Sequence, residues 1–207
     1  MKNIHVVSHP LLHHSLTIIR NKDTDTENFR RHTAIVSQIM IMEATRNISL
    51  LDEEIQTPLA TMTGHKIREN IIFVPVLRAG LSMLFPSRDF LPWAPVGFIG
   101  LKRDEQTAIA HEYYQKFPFD LKDKHIMVLD PMLATGGSLV DTISALKKKG
   151  AETITAVCIV AAPEGVKNLS EQFPEVNVFV AAIDSHLNAD KYIYPGLGDY
   201  GDRYFNT

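Results

Sequence analysis

Short apolar runs alternate with amphipathic stretches along this chain of 207 residues. Continuous apolar runs are typical of parallel strands that are covered on both faces. Such runs predict strands at residues 71–74, 96–101, 126–129, 154–160 and 176–182. After the third run, apolar residues recur at helical spacing, at Leu139, Val140, Ile143 and Leu146. The alternation of strands with helices predicts an α/β fold with a doubly wound, mainly parallel sheet.

A long apolar helix is predicted near the N-terminus. Thr24 and Glu27 fit a capping box. Apolar residues then recur at helical spacing, at Phe29, Ile35, Val36, Ile39, Met40 and Ala44. A helix so apolar needs burial against more than one surface, and two interpretations stay open, a subunit interface or the central helix of the core. Nearby, His9, His13 and His14 have no acidic or cysteine partner in sequence, so we interpret them as solvated or capping side chains rather than metal ligands.

Composition narrows the class of protein. With 45% hydrophobic residues, the chain is expected to form a single domain over residues 1–207, and without an apolar run of about 18 residues we expect a cytoplasmic protein without a membrane partner. The net charge of −3 argues against broad nucleic-acid binding, although a local basic groove stays open. Cys158, the one cysteine, lies in an apolar run and is interpreted as a buried thiol.

Residues 125–138, HIMVLDPMLATGGS, carry the strongest chemical signal. An apolar strand ends at Asp130, and the small-residue turn of residues 135–138 precedes a helix. Amides in a first helical turn have no partner within the helix and bear partial positive charge, while glycines let a phosphate approach the backbone. Asp130 is placed to accept hydrogen bonds from sugar hydroxyls. The stretch therefore predicts a site for a 5-phosphoribosyl group.

LDPMLATGGS resembles the phosphoribosyl-diphosphate loop of the type I phosphoribosyltransferases, in particular of the uracil phosphoribosyltransferase family. Most of that superfamily has two adjacent acids here, whereas this chain has Pro131 after Asp130, as the uracil branch does. The resemblance implies the type I fold, with a small hood formed by N- and C-terminal segments. It also implies contacts to 5-phospho-α-D-ribose 1-diphosphate (PRPP) from Asp130, Pro131, Met132, Leu133, Ala134, Thr135, Gly136, Gly137 and Ser138.

Two arginines are implied as contacts of the diphosphate. PVLRAGLSM resembles the family segment PILRAGLGM and places Arg78 just after a strand in which Pro75 is expected to weaken regular pairing. Arg103 is the second implied contact. The polar segment that follows, including Tyr113 and Tyr114, resembles the mobile loop that closes over the site in this family. Such a lid would keep water from an oxocarbenium-like transition state.

The C-terminal stretch YIYPGLGDYGDR resembles the family's PGLGDAGDR segment, with Tyr200 where alanine is usual. Gly196, Gly198 and Gly201 also fit a dinucleotide-binding pattern, but no clear strand-to-helix unit surrounds them, so we reject that interpretation. The resemblance implies that backbone groups of this segment bind uracil, with Asp199 also near PRPP. The implied uracil contacts are Ile193, Gly198, Asp199 and Tyr200.

The resemblance implies conversion of uracil and PRPP to UMP and diphosphate, with Mg²⁺ bound mainly through the substrate and no protein metal ligand. Its implied catalytic residues are Arg78, Arg103, Asp130 and Asp199, and Asp199 is a candidate general base. Some family members are activated by GTP and form dimers or tetramers, so a GTP effector and a homo-oligomer are expected. Two alternatives stay open, an RNA-binding regulator of the same fold and an enzyme that acts on a purine base.

Overall fold

The computed structural model describes residues 3–103, 110–117 and 120–207, and of residues 101–103, 110–113 and 115 only the backbone is considered. The strands are β1 Ile4–Val6, β2 Leu50–Gln56, β3 Thr61–Ile67, β4 Ile71–Leu77, β5 Phe98–Arg103, β6 Ala110–Lys116, β7 His125–Leu129, β8 Met132–Leu133, β9 Thr153–Ala161, β10 Asn177–Ile183, β11 His186–Leu187 and β12 Ile193–Tyr194. The helices are α1 Pro10–Arg20, α2 Thr26–Ala44, α3 Leu81–Ser87, α4 Gly137–Lys148, α5 Pro163–Gln172 and α6 Tyr200–Phe205.

The central sheet has the strand order β1-β10-β9-β7-β4-β5-β6, and β8 extends it by pairing with β9. Its ladders are parallel except for that between β5 and β6, which is antiparallel. The prediction of a mainly parallel α/β sheet is therefore confirmed. Pairing of β4 with β7 ends at Pro75, as predicted, and Val76 and Leu77 pair with β5 on the other side instead.

Helices cover both faces of the sheet because its inner strands are apolar on both sides. Phe73, Met127 and Val157 belong to the core shared with α1, α2 and α3. Their neighbours Ile72 and Val128 belong to a second core, which α4 and α5 complete. Alternate strand residues thus enter opposite cores, as the period of two along a strand requires. This arrangement is the doubly wound fold that the sequence predicted.

Helix α2 differs from the predicted helix in its N-terminal cap, and its buried face bears on the two interpretations of the predicted helix. Its N-cap is Asp25, whose carboxylate accepts from Asn28 N at 2.8 Å, so the predicted capping box of Thr24 and Glu27 is wrong. Thr24 Oγ1 instead donates to Ile18 O at 2.6 Å and ties the loop to α1. The buried face of α2 belongs to the first core, which supports the interpretation as a central core helix.

Other single-residue interpretations are confirmed. His9 caps α1, since its Nδ1 accepts from Leu11 N at 3.1 Å. Cys158 is fully buried, and burial raises the pKa of its thiol well above the ordinary value, so it is an inert core residue. In the described part of the chain, no helix is both long and apolar enough to cross a bilayer.

Three features of the polar regions differ from the predictions. Strand β5 begins at Phe98 rather than at residue 96, since Val96 forms only an isolated bridge to Phe73. Tyr113 and Tyr114 lie in strand β6, at the sheet edge, so the predicted lid does not extend through them as a loop. Residues 104–109 of that segment lie outside the described residues.

Strands β2 and β3 form an unpredicted antiparallel hairpin. Its exposed apolar side chains include Leu50, Leu51, Ile55, Leu59 and Met62.

Candidate active site

Three segments meet at the carboxyl edge of the parallel sheet. The first begins where β7 ends, at Asp130, whose exposed fraction is 8%. Its amide donates to Val157 O at 3.2 Å, so the chain still follows β9 as it leaves β7. Pro131 O then accepts from Ile159 N and Val160 N, both at 3.0 Å. The start of the first segment is therefore built into the sheet.

The turn that follows, residues 134–138, closes onto helix α4, and we call it the donor turn. Gly136 caps α4 with φ +83°, and a Cβ at this position would lie 2.9 Å from Gly165 O, so a side chain is excluded both by conformation and by space. Asn168 Nδ2 donates to Thr135 O at 2.9 Å and holds the turn from α5. A small concavity lies against the turn and the start of α4, and it is lined by Asp130 and residues 132–139.

The second segment, residues 78–80, packs against the end of β7, and we call it the diphosphate turn. The peptide bond between Leu77 and Arg78 is cis. A Cβ on Gly80 would lie 2.3 Å from Leu129 O and 2.6 Å from Val76 N, so this close approach requires glycine. The exposed side chain of Arg78 therefore starts beside the strand end that leads to Asp130.

The third segment, residues 193–203, is held by two arginines, and we call it the base segment. Arg20 forms a bidentate ion pair with Asp184, with distances of 2.8 and 2.6 Å, and its Nη1 also donates to Gly196 O at 2.7 Å. Asp184 in turn accepts from Gly196 N at 2.8 Å. The carboxylate of Asp184 is 6% exposed and the Arg20 side chain 23%, and a partly buried bidentate pair of this kind rigidifies the loop that it joins.

Arg203 is the second anchor of the base segment. Its Nη1 donates to Ile19 O and to Leu197 O, both at 2.7 Å, and its Nη2 donates to Asn21 O at 2.7 Å. The guanidinium carbon lies 4.5 Å from the centroid of the Phe29 ring. Burial lowers the pKa of Arg203 from its ordinary value, but a guanidinium stays charged in proteins. The N-terminal helices and the C-terminus thus pack together over the sheet edge, as the predicted hood requires.

A cavity of about 420 Å³ joins the three segments. Its lining includes Arg78, Met132, Ala134, Ile193, Gly198, Asp199 and Tyr200. Because Met132 and Ala134 also line the concavity of the donor turn, the two spaces are adjacent. A larger cavity of about 750 Å³ lies at the opposite edge, against His125, Thr153 and Asn177 at the starts of strands. Ligands of open α/β sheets bind at the carboxyl ends of strands, so we place the site in the smaller cavity.

Most of the predicted site residues come together here, but some are buried or lie apart. Pro131 and Leu133 are buried, and Leu133 also lines the concavity of the donor turn. Arg103 ends β5, and its side chain lies outside the described residues. Asp199 Oδ1 accepts from Asp202 N at 2.9 Å and caps α6, an occupied position that weakens its candidacy as a general base. The functions of these residues stay predictions.

Four residues that hold the site were not singled out in the sequence, namely Arg20, Ser82, Asn168 and Asp184. Their contacts with the donor turn and the base segment span between 12 and 176 residues along the chain, so no local pattern could reveal these contacts. The sequence did point to Arg203, because this residue ends the C-terminal segment that resembles the family. Its hydrogen bonds to Ile19 O and Asn21 O could not be predicted from that resemblance.

The sequence matches the family model for uracil phosphoribosyltransferase over residues 6–207. A protein from Levilactobacillus brevis, named uracil phosphoribosyltransferase, is 48% identical over 208 residues, with 100% of both chains covered. The chain belongs to the uracil phosphoribosyltransferase family. A Campylobacter concisus protein with the same name is 45% identical over 207 residues and is also fully covered. The family resemblance predicted from the sequence is confirmed, and with it the class of phosphoribosyl-transferring enzymes.

Solved structures support the fold of this uracil phosphoribosyltransferase family member. A structure of an Aquifex aeolicus protein superimposes with a TM-score of 0.93 at 41% identity, covering 98% of this chain and 97% of the other. A hypoxanthine-guanine phosphoribosyltransferase from Bacillus anthracis gives a TM-score of 0.53 at 10% identity, covering 77% and 80%. The second likeness concerns the fold alone.

Proposed function

We propose that this chain transfers the 5-phosphoribosyl group of PRPP to uracil and releases UMP and diphosphate. Membership of the uracil phosphoribosyltransferase family supports the reaction. The observation that carries the proposal is the junction at Met132 and Ala134, where the cavity beside the base segment meets the concavity of the donor turn. A nucleotide needs this arrangement, because its phosphate and its base must be bound at opposite ends of one ribose.

The donor turn would bind the 5′-phosphate through its main-chain amides. Gly136 lets the turn adopt its left-handed conformation beside Gly165, and the hydroxyls of Thr135 and Ser138 add donors. Asp130, at the end of β7, would accept hydrogen bonds from the ribose hydroxyls. Arg78, on the diphosphate turn, would stabilise the negative charge that accumulates on the leaving diphosphate, and Arg103 is proposed to do the same from β5.

The base segment would recognise uracil by its backbone. Uracil presents two carbonyl acceptors and one N3–H donor, and a rigid run of N–H and C=O groups can match this pattern. The anchoring of this segment by Arg20 and Arg203 provides the rigidity. Cytosine would place an amino group against an N–H donor, and such a buried mismatch supports roughly 10⁴-fold discrimination.

The side chains around the site fit a Mg²⁺ ion that is bound through the substrate rather than through a set of protein ligands. In residues 3–103, 110–117 and 120–207, no three His, Cys, Asp or Glu side chains cluster in a way that could hold a metal ion. Mg²⁺ prefers oxygen ligands and retains several waters, so diphosphate oxygens and the ribose can supply most of its ligands. When bound, the ion neutralises charge on the diphosphate. The protein's own residues orient the sugar and aim N1 of uracil at C1′.

Other properties of the chain are also proposed. The exposed apolar side chains of the β2–β3 hairpin, among them Leu59 at 96% exposure, support a homo-oligomer, either a dimer or a tetramer. A single domain over residues 1–207 fits the two cores that share one sheet. Regulation by GTP and a cytoplasmic location remain predictions from the family resemblance.

The decisive experiment measures product formation from PRPP and Mg²⁺ with uracil, cytosine, hypoxanthine and guanine in parallel. We expect UMP from uracil and at least about 10³-fold less product from each other base. Faster turnover of a purine would contradict the proposal and favour the purine alternative. A gel shift with RNA, at matched protein concentration, tests the regulator alternative, and we expect no shift.

A further inference from the structure

The side chain of Tyr200 is buried in the core and connects the base segment to it. The residue lines the site cavity, yet it is only 2% exposed, because its ring packs at 5.3 Å from the Phe29 ring in an edge-to-face arrangement. Its hydroxyl lies 2.7 Å from Ser82 Oγ and 3.5 Å from Thr33 Oγ1. Burial raises the pKa of Tyr200 well above its ordinary value, so the phenol stays a neutral donor at physiological pH.

The partner of this phenol belongs to the diphosphate side of the site. Ser82 Oγ donates to Ala79 O at 2.7 Å, and Ala79 is the middle residue of the diphosphate turn. Because a serine hydroxyl has one proton, which Ser82 donates to Ala79 O, Ser82 Oγ accepts from the Tyr200 hydroxyl at 2.7 Å. The phenol also has one proton, so this short bond takes precedence over its 3.5 Å contact with Thr33 Oγ1. A continuous chain of hydrogen bonds therefore runs from Tyr200 through Ser82 to Ala79. It joins segments that are 118 residues apart in sequence.

We propose that the hydroxyl of Tyr200 is a positioning group that sets the base segment at a defined distance from the diphosphate turn. The proposal rests on the function proposed above, in which these two segments hold the base and the leaving group. It concerns the side chain of Tyr200, whereas the predicted contact of Tyr200 with uracil concerns its backbone. The hydroxyl acts through Ser82 and touches neither substrate.

The expected effect falls on the rate of the reaction. Bond formation between N1 and C1′ requires both substrates in a near-attack geometry, and small displacements lower the rate without abolishing binding. Removal of a neutral buried hydrogen bond typically changes an equilibrium by about fivefold. We therefore expect Tyr200→Phe to lower kcat by about fivefold and to leave the affinity for uracil, measured without PRPP, within about twofold of the parent.

The test uses a double-mutant cycle in the full chain. Tyr200→Phe and Ser82→Ala each remove one end of the hydrogen bond, and the double variant removes both. Tyr204→Phe is the matched control, because it removes a hydroxyl from the neighbouring ring of the same helix, which stacks on Tyr200 at 6.1 Å. For each protein we would measure kcat, uracil affinity, the melting temperature, and amide hydrogen exchange of residues 78–82 and 198–202.

Three results would support the proposal. Tyr200→Phe and Ser82→Ala lower kcat to a similar extent, the double variant is no slower than the slower single variant, and Tyr204→Phe matches the parent. In Tyr200→Phe, exchange rises in residues 78–82 as well as in residues 198–202. A purely structural role of the phenol predicts a different outcome, a lower melting temperature with kcat per folded molecule unchanged, and that outcome would overturn the proposal. Additive losses in the double variant would overturn it too.

Failure of the proposed function can be told apart from failure of this proposal. If the parent forms no UMP from uracil, the proposed function fails, and the exchange measurement alone then decides whether Tyr200 connects the two segments. Faster exchange at residues 78–82 in Tyr200→Phe would support that connection, and unchanged exchange there would refute it.

Discussion

The donor turn and the base segment are held by contacts of different range along the chain. In the donor turn, Gly136 caps the helix that directly follows it, and strand, turn and helix are consecutive in sequence. In the base segment, Arg203 bonds to Ile19 O and Arg20 bonds to Gly196 O, across 184 and 176 residues. The donor turn therefore depends on nearby segments, with Asn168 of α5 as its more distant support, whereas the base segment forms only once the N-terminal helices have docked.

From this difference we expect changes in the two regions to affect the binding of different substrates. Changes in α1 or at Arg203 should weaken uracil binding and leave PRPP binding nearly unchanged, because α4 and α5, rather than α1, hold the donor turn. Changes within the donor turn should do the reverse. The diphosphate turn lies between them, in contact with the end of β7 through Gly80 and with Tyr200 through Ser82. A change there should affect the reaction step more than the binding of uracil.

The largest effect on the reaction rate is expected in the diphosphate turn. Arg78→Ala removes the positive charge that the proposed function assigns to the leaving diphosphate, so kcat should fall by about 100-fold or more, while uracil affinity changes by less than about threefold. Arg88→Ala, at the exposed C-cap of α3, is the control and should match the parent. Steady-state kinetics and uracil titration measure the two quantities. A loss of uracil binding with kcat unchanged would contradict the role given to Arg78.

Arg203→Ala should disrupt the base segment and its contacts with the end of α1, and it should leave the donor turn intact. It removes donors to three carbonyl oxygens and leaves Leu197 O without this partner, so the segment must be ordered when uracil binds. We expect kcat/KM for uracil to fall by about 100-fold, which corresponds to about 2.7 kcal/mol. The affinity for PRPP should stay within about threefold. Arg30→Ala is the control, because Arg30 is exposed and binds α6 at Tyr204, outside the base segment.

Thr135→Ala should affect the other region. A hydroxyl that meets the charged phosphate contributes about 1.5–3 kcal/mol, so PRPP affinity should fall by between about 10-fold and 150-fold. The backbone of the turn should persist, because Asn168 holds Thr135 through its carbonyl oxygen. Calorimetric titration with PRPP and Mg²⁺ measures the change. Unchanged affinity would remove Thr135 from the phosphate site.

Gly136→Ala should cost both stability and donor binding. The residue has φ +83°, and the added Cβ would meet Gly165 O at 2.9 Å, so we expect about 1–2 kcal/mol less free energy of unfolding and about 10-fold weaker PRPP binding. Gly150→Ala is the matched control. It has φ +89° with nothing within 4 Å of the new Cβ, so it should carry the conformational cost while PRPP binding stays at the parent's value. Equal PRPP losses in both variants would mean that strain, not contact, sets the effect.

The smallest effect is expected on the pH dependence of stability, through His125 in strand β7 of the central sheet. Burial lowers the pKa of His125, and the carboxylate of Glu69 opposes this shift only in part. The unfolded chain then binds more protons than the folded one below the ordinary histidine pKa of about 6.5, so the free energy of unfolding should decrease as pH falls through that range. His125→Gln should flatten this dependence in chemical denaturation at several pH values. A parent and variant with the same slope would show that His125 does not contribute.

The same contrast explains how much could be predicted from the sequence. The inner strands and the donor turn were predictable because their signals, apolar runs and a glycine-rich turn before a helix, are local. Motif resemblance found the base segment and the residues around Arg78. The anchors Arg20, Asp184 and Ser82 could not be found, since their partners are distant in sequence. The β2–β3 hairpin was missed because Asp52, Glu53 and Glu54 interrupt its apolar residues and neither face is buried in the core.

The most direct test of the central claim is a crystal structure of the protein with UMP. If the two regions bind the two ends of one nucleotide, the phosphate will lie against the amides of residues 135–138, and the uracil ring will contact the backbone of residues 198–200. Density for UMP in the larger cavity at the opposite edge of the sheet, with the donor turn empty, would contradict the account.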